Sequence, residues 1–379
     1  LTISVNLVDT RNGKSLWGEQ YERKMSELLA TQREIAAEIT NNLKLKLSGE
    51  SEQKLAKKYT DSNEAYQLYL KGRFHWNKRT PEGLRLAVEF YNQAIEKDPN
   101  FALAYSGLAE TYVLFSSYSV ASAKDSMPQA KAAALRALAL DESVAEAHAA
   151  MGEYLTFYEF DRIGGEKEFR RAIELNPNYA TAYQWLGSDN LLLRKRFDEA
   201  IAALKRAEEL DPLSPVISMN IGLSLRYARR YDEAIAQLNR TLSLDPNFAV
   251  AHISLGWAFH HKGMYREAIA EYRKGNDLAY NPINKGFLAL SLAKAGQRAE
   301  SAKLLGELKQ ESAGRYVPSY ALALAYIGLN EKDEAFVWLE KQIEERSYWS
   351  SVYAVAPELD ELRDDPRFKE MLKRLNLPE

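Results

Sequence analysis

The feature that most constrains this chain is an internal repeat with a period of about 34 residues. Small residues recur at one position of the repeat, with successive spacings of 43, 35, 35, 34, 34, 34 and 33 residues. Such a period is typical of a solenoid, in which each unit can bury its apolar face only against its neighbours. The recurring small residues are Ala87, Ala130, Gly165, Ala200, Ala234, Ala268, Ala302 and Ala335.

Within each unit the residue types indicate two helices that cross at small residues. In the sixth unit, Leu255-Gly256 precedes Phe259, and Ala268 and Tyr272 follow in the second half. A Gly or Ala at the crossing lets the two backbones approach, and aromatic rings fill the space around that contact. An Asp-Pro or Asn-Pro pair closes several units, since proline cannot continue a helix and disfavours helix at the preceding residue.

This pattern resembles the tetratricopeptide repeat (TPR), a helix–turn–helix unit of 34 residues. The resemblance implies an all-α fold, a TPR α-solenoid or superhelix of about eight repeats over residues 63–346. Residues 347–379 are predicted to be a capping segment, with a helix that begins at Asp365-Pro366.

The second repeat is longer than the others, and its extra residues fall between Ser116 and Ser126. Insertions in repeats map to loops on one face, often a functional one. The alternative, which we favour, is simply longer helices. Ser126 and Pro128 suit the start of the helix that follows.

Residues 1–47 have a different pattern, which predicts a β-hairpin followed by a helix. Apolar and polar residues alternate at the start of the chain, and Asn12-Gly13 is a strong two-residue hairpin turn. A helix is expected from about Ser26. Because a two-stranded hairpin is marginal alone, we expect this α/β fragment to be truncated, with further strands upstream. The polar residues 48–62 are predicted to be a linker.

The order of motifs along the chain resembles a known bacterial layout. The motif V-x-L-V-D-T-x-x-G-x-x-L-W begins at Val5, A-Y-x-L-Y-L-x-G-R at Ala65 and D-P-R-F at Asp365. Together they resemble the TolB-amino-terminal-like plus TPR region of bacterial multidomain regulators. The resemblance implies an upstream effector, such as a winged-helix DNA-binding domain, a nucleotide cyclase or a serine/threonine kinase. We expect a cytoplasmic location or, alternatively, the periplasmic side of a membrane-anchored regulator.

Composition and missing motifs exclude several classes of function. The chain has no cysteine, which removes disulfides, thiolate metal sites and cysteine nucleophiles. With 50 Lys and Arg against 53 Asp and Glu, it lacks the positive excess that binds nucleic acid or an anionic membrane. It has no stretch that reads as a membrane span, and no phosphate-binding loop, G-x-S-x-G or H-E-x-x-H motif. We therefore expect no enzymatic activity, no cofactor, no metal and no nucleic-acid partner.

The resemblance also implies where a ligand binds. In TPR arrays the first helices line a concave groove, and positions two, five, six, nine and twelve of each repeat face the ligand. The Lys at position five and Asn at position nine that bind acidic chaperone tails are absent here, which excludes that ligand. The remaining strip is apolar and aromatic, which favours a protein or peptide partner bound as a helix in the groove. The candidate groove residues are Tyr69, Arg73, Trp76, Gln184, Trp185, Met219, Asn220, Leu223, Arg226, Ile253, Trp257, His260, Asn284 and Phe287.

Several alternatives stay open at this point. Tyr66, Tyr69, Trp76 and Trp257 would also suit stacking on sugar rings, which would make the chain a cell-envelope sensor of peptidoglycan or carbohydrate. A homodimer through an exposed terminal repeat is another alternative. A hydrolase has the least support, because no set of catalytic residues converges. In the last alternative, tight curvature or the chain's own N-terminal segment covers the strip, so that the groove is not open to a ligand.

Overall fold

The computed structural model of the chain describes residues 2–9, 14–23, 31, 34–35, 37–39 and 59–378. Strands β1 (Thr2–Asp9) and β2 (Lys14–Glu22) pair antiparallel in a two-stranded sheet, with an irregularity in register between Leu7 and Val8. The predicted turn at Asn12-Gly13 and most of the predicted linker lie outside the described residues.

Helical residues follow the hairpin. Residues 31, 34–35 and 37–39 are helical. The Tyr21 hydroxyl donates a hydrogen bond to the Glu38 carboxylate, and Arg23 pairs with Glu34 at 3.0 Å. These contacts join the hairpin to the helix, and they confirm a small α/β element ahead of the repeats.

From residue 63 onward the described chain is a row of eight helical hairpins, which confirms the predicted all-α solenoid. Each second helix packs against the first helix of its own repeat and against that of the next. In the described ranges, no helix combines the length and the apolar character that crossing a membrane requires. The hairpins are Asn63–Asn77 with Pro81–Lys97, Ala102–Leu114 with Ala123–Leu140, Ala145–Phe157 with Arg162–Leu175, Ala180–Arg194 with Phe197–Leu210, Pro215–Tyr227 with Tyr231–Leu244, Ala249–His261 with Tyr265–Leu278, Pro282–Lys294 with Arg298–Glu311, and Ser319–Gly328 with Lys332–Glu344.

The helices cross where small residues meet aromatic rings, as the sequence predicts. A Cβ added to Gly256 would stand 2.4 Å from the Tyr272 ring, and one added to Gly152 would stand 2.7 Å from the Phe169 ring. Both rings are fully buried. Only glycine therefore allows these two helix pairs to approach so closely.

The first helix of repeat four is irregular. It is α-helical over Ala180–Trp185, forms a π turn over Leu186–Leu191 and ends as a 3-10 turn over Leu192–Arg194. The Asn190 side chain holds this region against repeat three, because its Nδ2 donates to the Arg162 carbonyl oxygen at 2.8 Å. A π turn inside an α-helix is rare and often lies at a functional site.

The insertion in repeat two produces both a loop and a longer second helix. The helix begins at Ala123, because the Ser122 side chain accepts a hydrogen bond from the Asp125 backbone N–H. The predicted start at Ser126 and Pro128 is therefore wrong, and Pro128 lies inside the helix. The capping hydrogen bond at Ser122 satisfies one of the free N–H groups of the first turn, which favours the earlier start.

The C-terminal segment, residues 347–378, does more than cap repeat eight. It consists of 3-10 turns over Tyr348–Val352 and Pro357–Leu362 and a helix over Pro366–Arg374, which Asp365 caps. This segment reaches back across the first helices of earlier repeats. The backbone N–H of Tyr348 donates to Ser116 Oγ of repeat two at 3.4 Å. Arg162 Nη1 of repeat three donates to the Leu375 carbonyl oxygen at 2.7 Å.

Candidate ligand-binding groove

The fourteen candidate groove residues lie on the first helices of repeats one, four, five, six and seven. Eleven of them are buried, and only Tyr69, Arg73 and Leu223 are half-buried. Curvature accounts for part of this burial, since the rings of Trp76 and Trp185, from repeats one and four, lie 6.4 Å apart. The C-terminal segment covers others, such as Trp257 and Arg226, where the sequence suggested the N-terminal segment.

Aromatic rings join the C-terminal segment to repeats six to eight. The Trp349 ring lies 6.0 Å from the Trp257 ring, almost perpendicular to it. The same Trp349 ring stacks on Tyr320 at 5.7 Å. Trp257 in turn lies 4.9 Å from Phe287. Trp257 and Phe287 therefore form part of a continuous aromatic core under the segment.

A buried ion pair joins the segment to repeat five. Arg226 Nη2 donates to the Glu358 carboxylate, and both side chains are almost fully buried. Tyr320 also donates to Glu358 at 2.9 Å, and the His261 ring accepts from Arg226 at 3.0 Å. Burial alone would raise the pKa of Glu358, but the adjacent Arg226 guanidinium holds it well below its usual range. Burial also lowers the pKa of His260 to about 3, so that ring is neutral.

Three further candidates make contacts within the array. Arg73 pairs with Glu110 of repeat two at 2.7 Å, and Glu110 also accepts a hydrogen bond from the Tyr179 hydroxyl. Trp76 donates to the Glu110 carbonyl oxygen at 3.3 Å. Asn284 donates to the carbonyl oxygen of the preceding repeat's Tyr272 at 2.8 Å. These side chains hold neighbouring or facing repeats together.

Between the first helices of repeats two to six and the C-terminal segment there remains a cavity of about 110 Å³. Tyr348, Trp349 and Val352 of the C-terminal segment form one wall. Of the lining residues outside the C-terminal segment, five are half-buried and the others are buried. We call these five the mouth: Ser117, Tyr118, Leu223, Val250 and Asn281. Of the candidate residues, the cavity brings together Gln184, Trp185, Met219, Asn220, Leu223, Ile253 and Trp257, and it leaves out Tyr69, Arg73, Trp76, Arg226, His260, Asn284 and Phe287.

The sequence did not single out the charged residues of the cavity, which are Glu153, Asp189 and Arg79. Burial, and the nearby Asp189, raise the pKa of Glu153 well above its usual value. Burial also raises the pKa of Asp189 to about 7, against the opposing effect of hydrogen bonds from Ser188 and Tyr348. One signal was available in the sequence, since Glu153 is an acid at position nine of its repeat.

The cavity and its surroundings show no metal site. In the part of the chain that the structure describes, no group of three or more His, Asp or Glu side chains is placed to hold a metal ion. The groove is thus a set of apolar and aromatic walls with a few charged groups at one end.

The family model for the tetratricopeptide repeat matches residues 164–215 and 219–277, which are the second helix of repeat three and most of repeats four to six. These residues are tetratricopeptide repeats. The other hairpins extend the same architecture on both sides of the matched residues. The crystal structure of yeast Tom70 has a similar fold, with a TM-score of 0.50 and 16% identity over 83% of this chain and 68% of that one.

Two curated relatives match part of this chain. The transcriptional regulator HilA of Salmonella typhimurium is 28% identical over 152 residues, which are 40% of this chain and 27% of HilA. Putative adenylate cyclase 3 of Rhizobium meliloti is 28% identical over 109 residues, which are 29% of this chain and 19% of that protein. The matched part of the chain thus spans about a quarter or less of these relatives.

Proposed function

We propose that this chain is a non-enzymatic interaction module that binds a peptide segment of a partner protein at the mouth of the groove. The observation that supports this proposal most directly is the cavity left between five repeats and the C-terminal segment. Seven of the fourteen candidate groove residues line it. TPR folds offer extended surfaces of this kind for binding other chains.

The occupant that we propose is a peptide, because the groove already holds one. The C-terminal segment lies in it with 3-10 turns over Tyr348–Val352 and buries Trp349 against Trp257. This intramolecular contact also changes the expected binding mode. A partner helix cannot lie along the whole strip, so we propose that the partner binds at the mouth and inserts a side chain into the cavity.

We further propose that binding serves an effector domain of a larger protein. The two curated relatives are named as a transcriptional regulator and a putative adenylate cyclase. Each of them extends far beyond the segment that this chain matches. By analogy, the array would be the ligand-binding part of a regulator in the cytoplasm, or on the periplasmic side of a membrane-anchored one.

The carbohydrate alternative has less support. Sugar binding needs an aromatic face that is open to solvent, but Arg79 covers the Trp76 ring at 3.5 Å and Arg73 lies 4.3 Å from it. Trp257 is buried under the C-terminal segment. Neither of these two rings offers a flat platform.

A selection from a random peptide library tests the proposal. Peptides are selected on the purified chain and then measured on a double variant of the mouth, Leu223→Arg with Val250→Arg. The matched control is Ile163→Arg with Leu213→Arg, because both of these side chains are exposed and lie outside the cavity. We expect the selected peptides to lose at least about tenfold in affinity on the mouth variant only.

Two results would contradict the proposal: no peptide is enriched, or the enriched peptides bind both double variants with equal affinity. A mouth that binds only a second copy of this chain would also contradict it, and concentration-dependent light scattering detects that result. In the full-length protein, the mouth variant is expected to reduce the partner-dependent change in effector output.

A further inference from the structure

The cavity contains a carboxylate that lacks a hydrogen-bond partner. The Glu153 side chain, on the first helix of repeat three, is 3% exposed, and its Oε1 atom accepts no hydrogen bond. A buried, unpaired acceptor is costly, and a buried charge more so. Most such groups in native proteins are satisfied, so this one needs an explanation.

The same position of the preceding repeat shows what a satisfied carboxylate looks like in this fold. Glu110 lies at position nine of repeat two, as Glu153 does in repeat three. Glu110 accepts hydrogen bonds from Arg73 at 2.7 Å and from the Tyr179 hydroxyl. No guanidinium donates a hydrogen bond to Glu153 in this way, and Glu153 lines the cavity instead.

A second carboxylate, on the π turn, lines the same cavity. Asp189 is in the middle of the Leu186–Leu191 turn and is buried. It accepts hydrogen bonds from Ser188 Oγ at 2.7 Å and from the Tyr348 hydroxyl at 3.3 Å. The Arg79 guanidinium, 3.5 Å from the centre of the Trp76 ring, lowers the pKa of both carboxyl groups, against the larger effect of burial. The cavity thus holds two carboxyl groups against one arginine, and with both acids ionised it would carry one negative charge in excess.

The walls of the cavity suit an organic cation. Trp185, Trp257 and Trp349 line it together with Tyr227. Aromatic faces attract ammonium and guanidinium groups, most strongly where water is excluded. Ca²⁺ and Mg²⁺ instead need six or more oxygen ligands, which two carboxylates among tryptophans do not supply.

We propose that this cavity binds a monovalent organic cation, an alkylammonium or guanidinium group, with Glu153 as its ion-pair partner. The group comes either from a free amine or from a Lys or Arg side chain of a bound peptide. The peptide source rests on the function proposed above, whereas the free amine does not. The cavity of about 110 Å³ is of the size that holds one side-chain-sized group.

Calorimetric titration of the whole chain tests this proposal with defined probes. The free probes are n-butylammonium and n-butylguanidinium, with 1-butanol as their uncharged counterpart. The peptide probes are acetyl-Gly-Gly-X-Gly-Gly-amide, in which X is lysine, arginine or norleucine. We expect the cationic probes to bind and the uncharged ones to bind at least about tenfold more weakly. Tighter binding of the peptides than of the free amines would assign the source to a peptide.

Two isosteric variants, Glu153→Gln and Asp189→Asn, locate the site. We expect each to weaken the binding of the cations by about tenfold or more, because a charge-assisted hydrogen bond is lost. Glu209→Gln, at an exposed residue outside the cavity, is the control and should bind as the unmodified chain does. Circular dichroism confirms that each variant is folded, and either one suffices if the other does not fold.

The proposal is overturned if the uncharged probes bind as tightly as the cations, if no cation binds, or if both isosteric variants bind normally. Library peptides that bind at the mouth without any basic residue would overturn this inference and leave the proposed function standing. Conversely, free amines that bind where no peptide does would support the cation site and contradict the proposed function.

Discussion

At the scale of single residues, the contact that most defines the molecule is the pair formed by Arg226 and Glu358. Both side chains are buried, and Tyr320 donates a further hydrogen bond to Glu358. Burying two charges is expensive, and their attraction only offsets that cost. The pair therefore adds little net stability to the fold. Removing one partner is nevertheless costly, because the other charge stays buried and unpaired.

This asymmetry predicts a large effect of Glu358→Ala. The change leaves the Arg226 guanidinium buried without its carboxylate, and it should lower the free energy of unfolding by about 3–5 kcal/mol. Urea unfolding followed by circular dichroism measures the difference. Glu361→Ala is the matched control, since Glu361 is half exposed in its pair with Lys294 and should change stability by less than about 1 kcal/mol. Equal effects of the two changes would show that the buried pair is not important to stability.

The Asp189 carboxyl predicts a pH dependence. Its pKa is about 7 in the folded chain against 3.8 for the free group, so the folded state binds this proton more tightly than the unfolded state. The contribution of Asp189 to stability is therefore present below pH 4 and is lost as the pH rises towards 7. Asp189→Asn removes this loss.

Relative to the unmodified chain, Asp189→Asn should thus gain stability between about pH 4 and pH 7, at about 1.4 kcal/mol for each unit of pKa shift as an upper limit. Thermal unfolding of both proteins over this range measures the gain. Parallel curves would show that Asp189 ionises in the folded chain as it does in the unfolded one.

At the scale of helices, the spacing between repeats depends on glycines that face backbone. Gly286, in the first helix of repeat seven, lies so close to repeat eight that an added Cβ would stand 2.5 Å from the Ala321 carbonyl oxygen. A backbone atom cannot move aside through a rotamer change, as a side-chain atom can. Gly306, in the second helix of repeat seven, is exposed and has open space around it.

The two glycines predict opposite effects of the same substitution. Gly286→Ala should destabilise the chain by about 1–3 kcal/mol or more, because repeats seven and eight must move apart. Gly306→Ala should stabilise it by about 0.5–1 kcal/mol, since alanine favours the helix and nothing obstructs its methyl group. Thermal unfolding of the two variants measures both shifts. A loss of stability at both positions would mean that contacts other than the Gly286 approach control this interface.

The helices were predictable from the sequence to a much greater extent than the site was. The period fixes the hairpins because the crossings need a small residue opposite a large side chain, as at Gly256 with Tyr272 and at Gly222 with Leu238. The π turn was not predictable, because Leu186–Leu191 fits the α-helical pattern equally well. Its geometry depends on Asn190, whose hydrogen bonds reach the preceding repeat. Local sequence patterns do not reveal such long-range contacts.

The candidate site was predicted in its apolar part and missed in its charged part. Trp185 and Trp257 follow from the repeat register, and they do line the cavity. Glu110 and Glu153 occupy the same position of adjacent repeats, so the sequence gives no reason to separate them. Glu110 is satisfied by Arg73 of repeat one and by Tyr179, which the curvature of the array brings to it, whereas Glu153 faces the cavity.

At the scale of the whole molecule, the C-terminal segment changes how the array holds together. In an ordinary solenoid each repeat contacts only its neighbours, and stability is close to a sum of local terms. Here Ser347 lies 3.2 Å from Ser116, although 231 residues separate them along the chain. Arg162 contacts Leu375 across 213 residues. The segment thus connects the early repeats with the late ones directly.

These long-range contacts predict cooperative unfolding. The chain should unfold in urea with coincident transitions by circular dichroism and by tryptophan fluorescence. A version that ends at residue 346 should lose this coincidence, unfold at lower urea and bind a hydrophobic dye, because it exposes Trp257 and leaves Arg226 unpaired. Non-coincident transitions in the intact chain would contradict the prediction, as would an unchanged midpoint after truncation.

The same contacts have a mechanical consequence. An open solenoid stretches and twists like a spring, because small rotations at every interface between repeats add up along its length. The C-terminal segment limits such motion, because it bonds repeats two and three to the far end of the array. A displacement applied at the last repeat therefore reaches the early repeats through the segment itself, and the array moves as a stiff shell around its cavity.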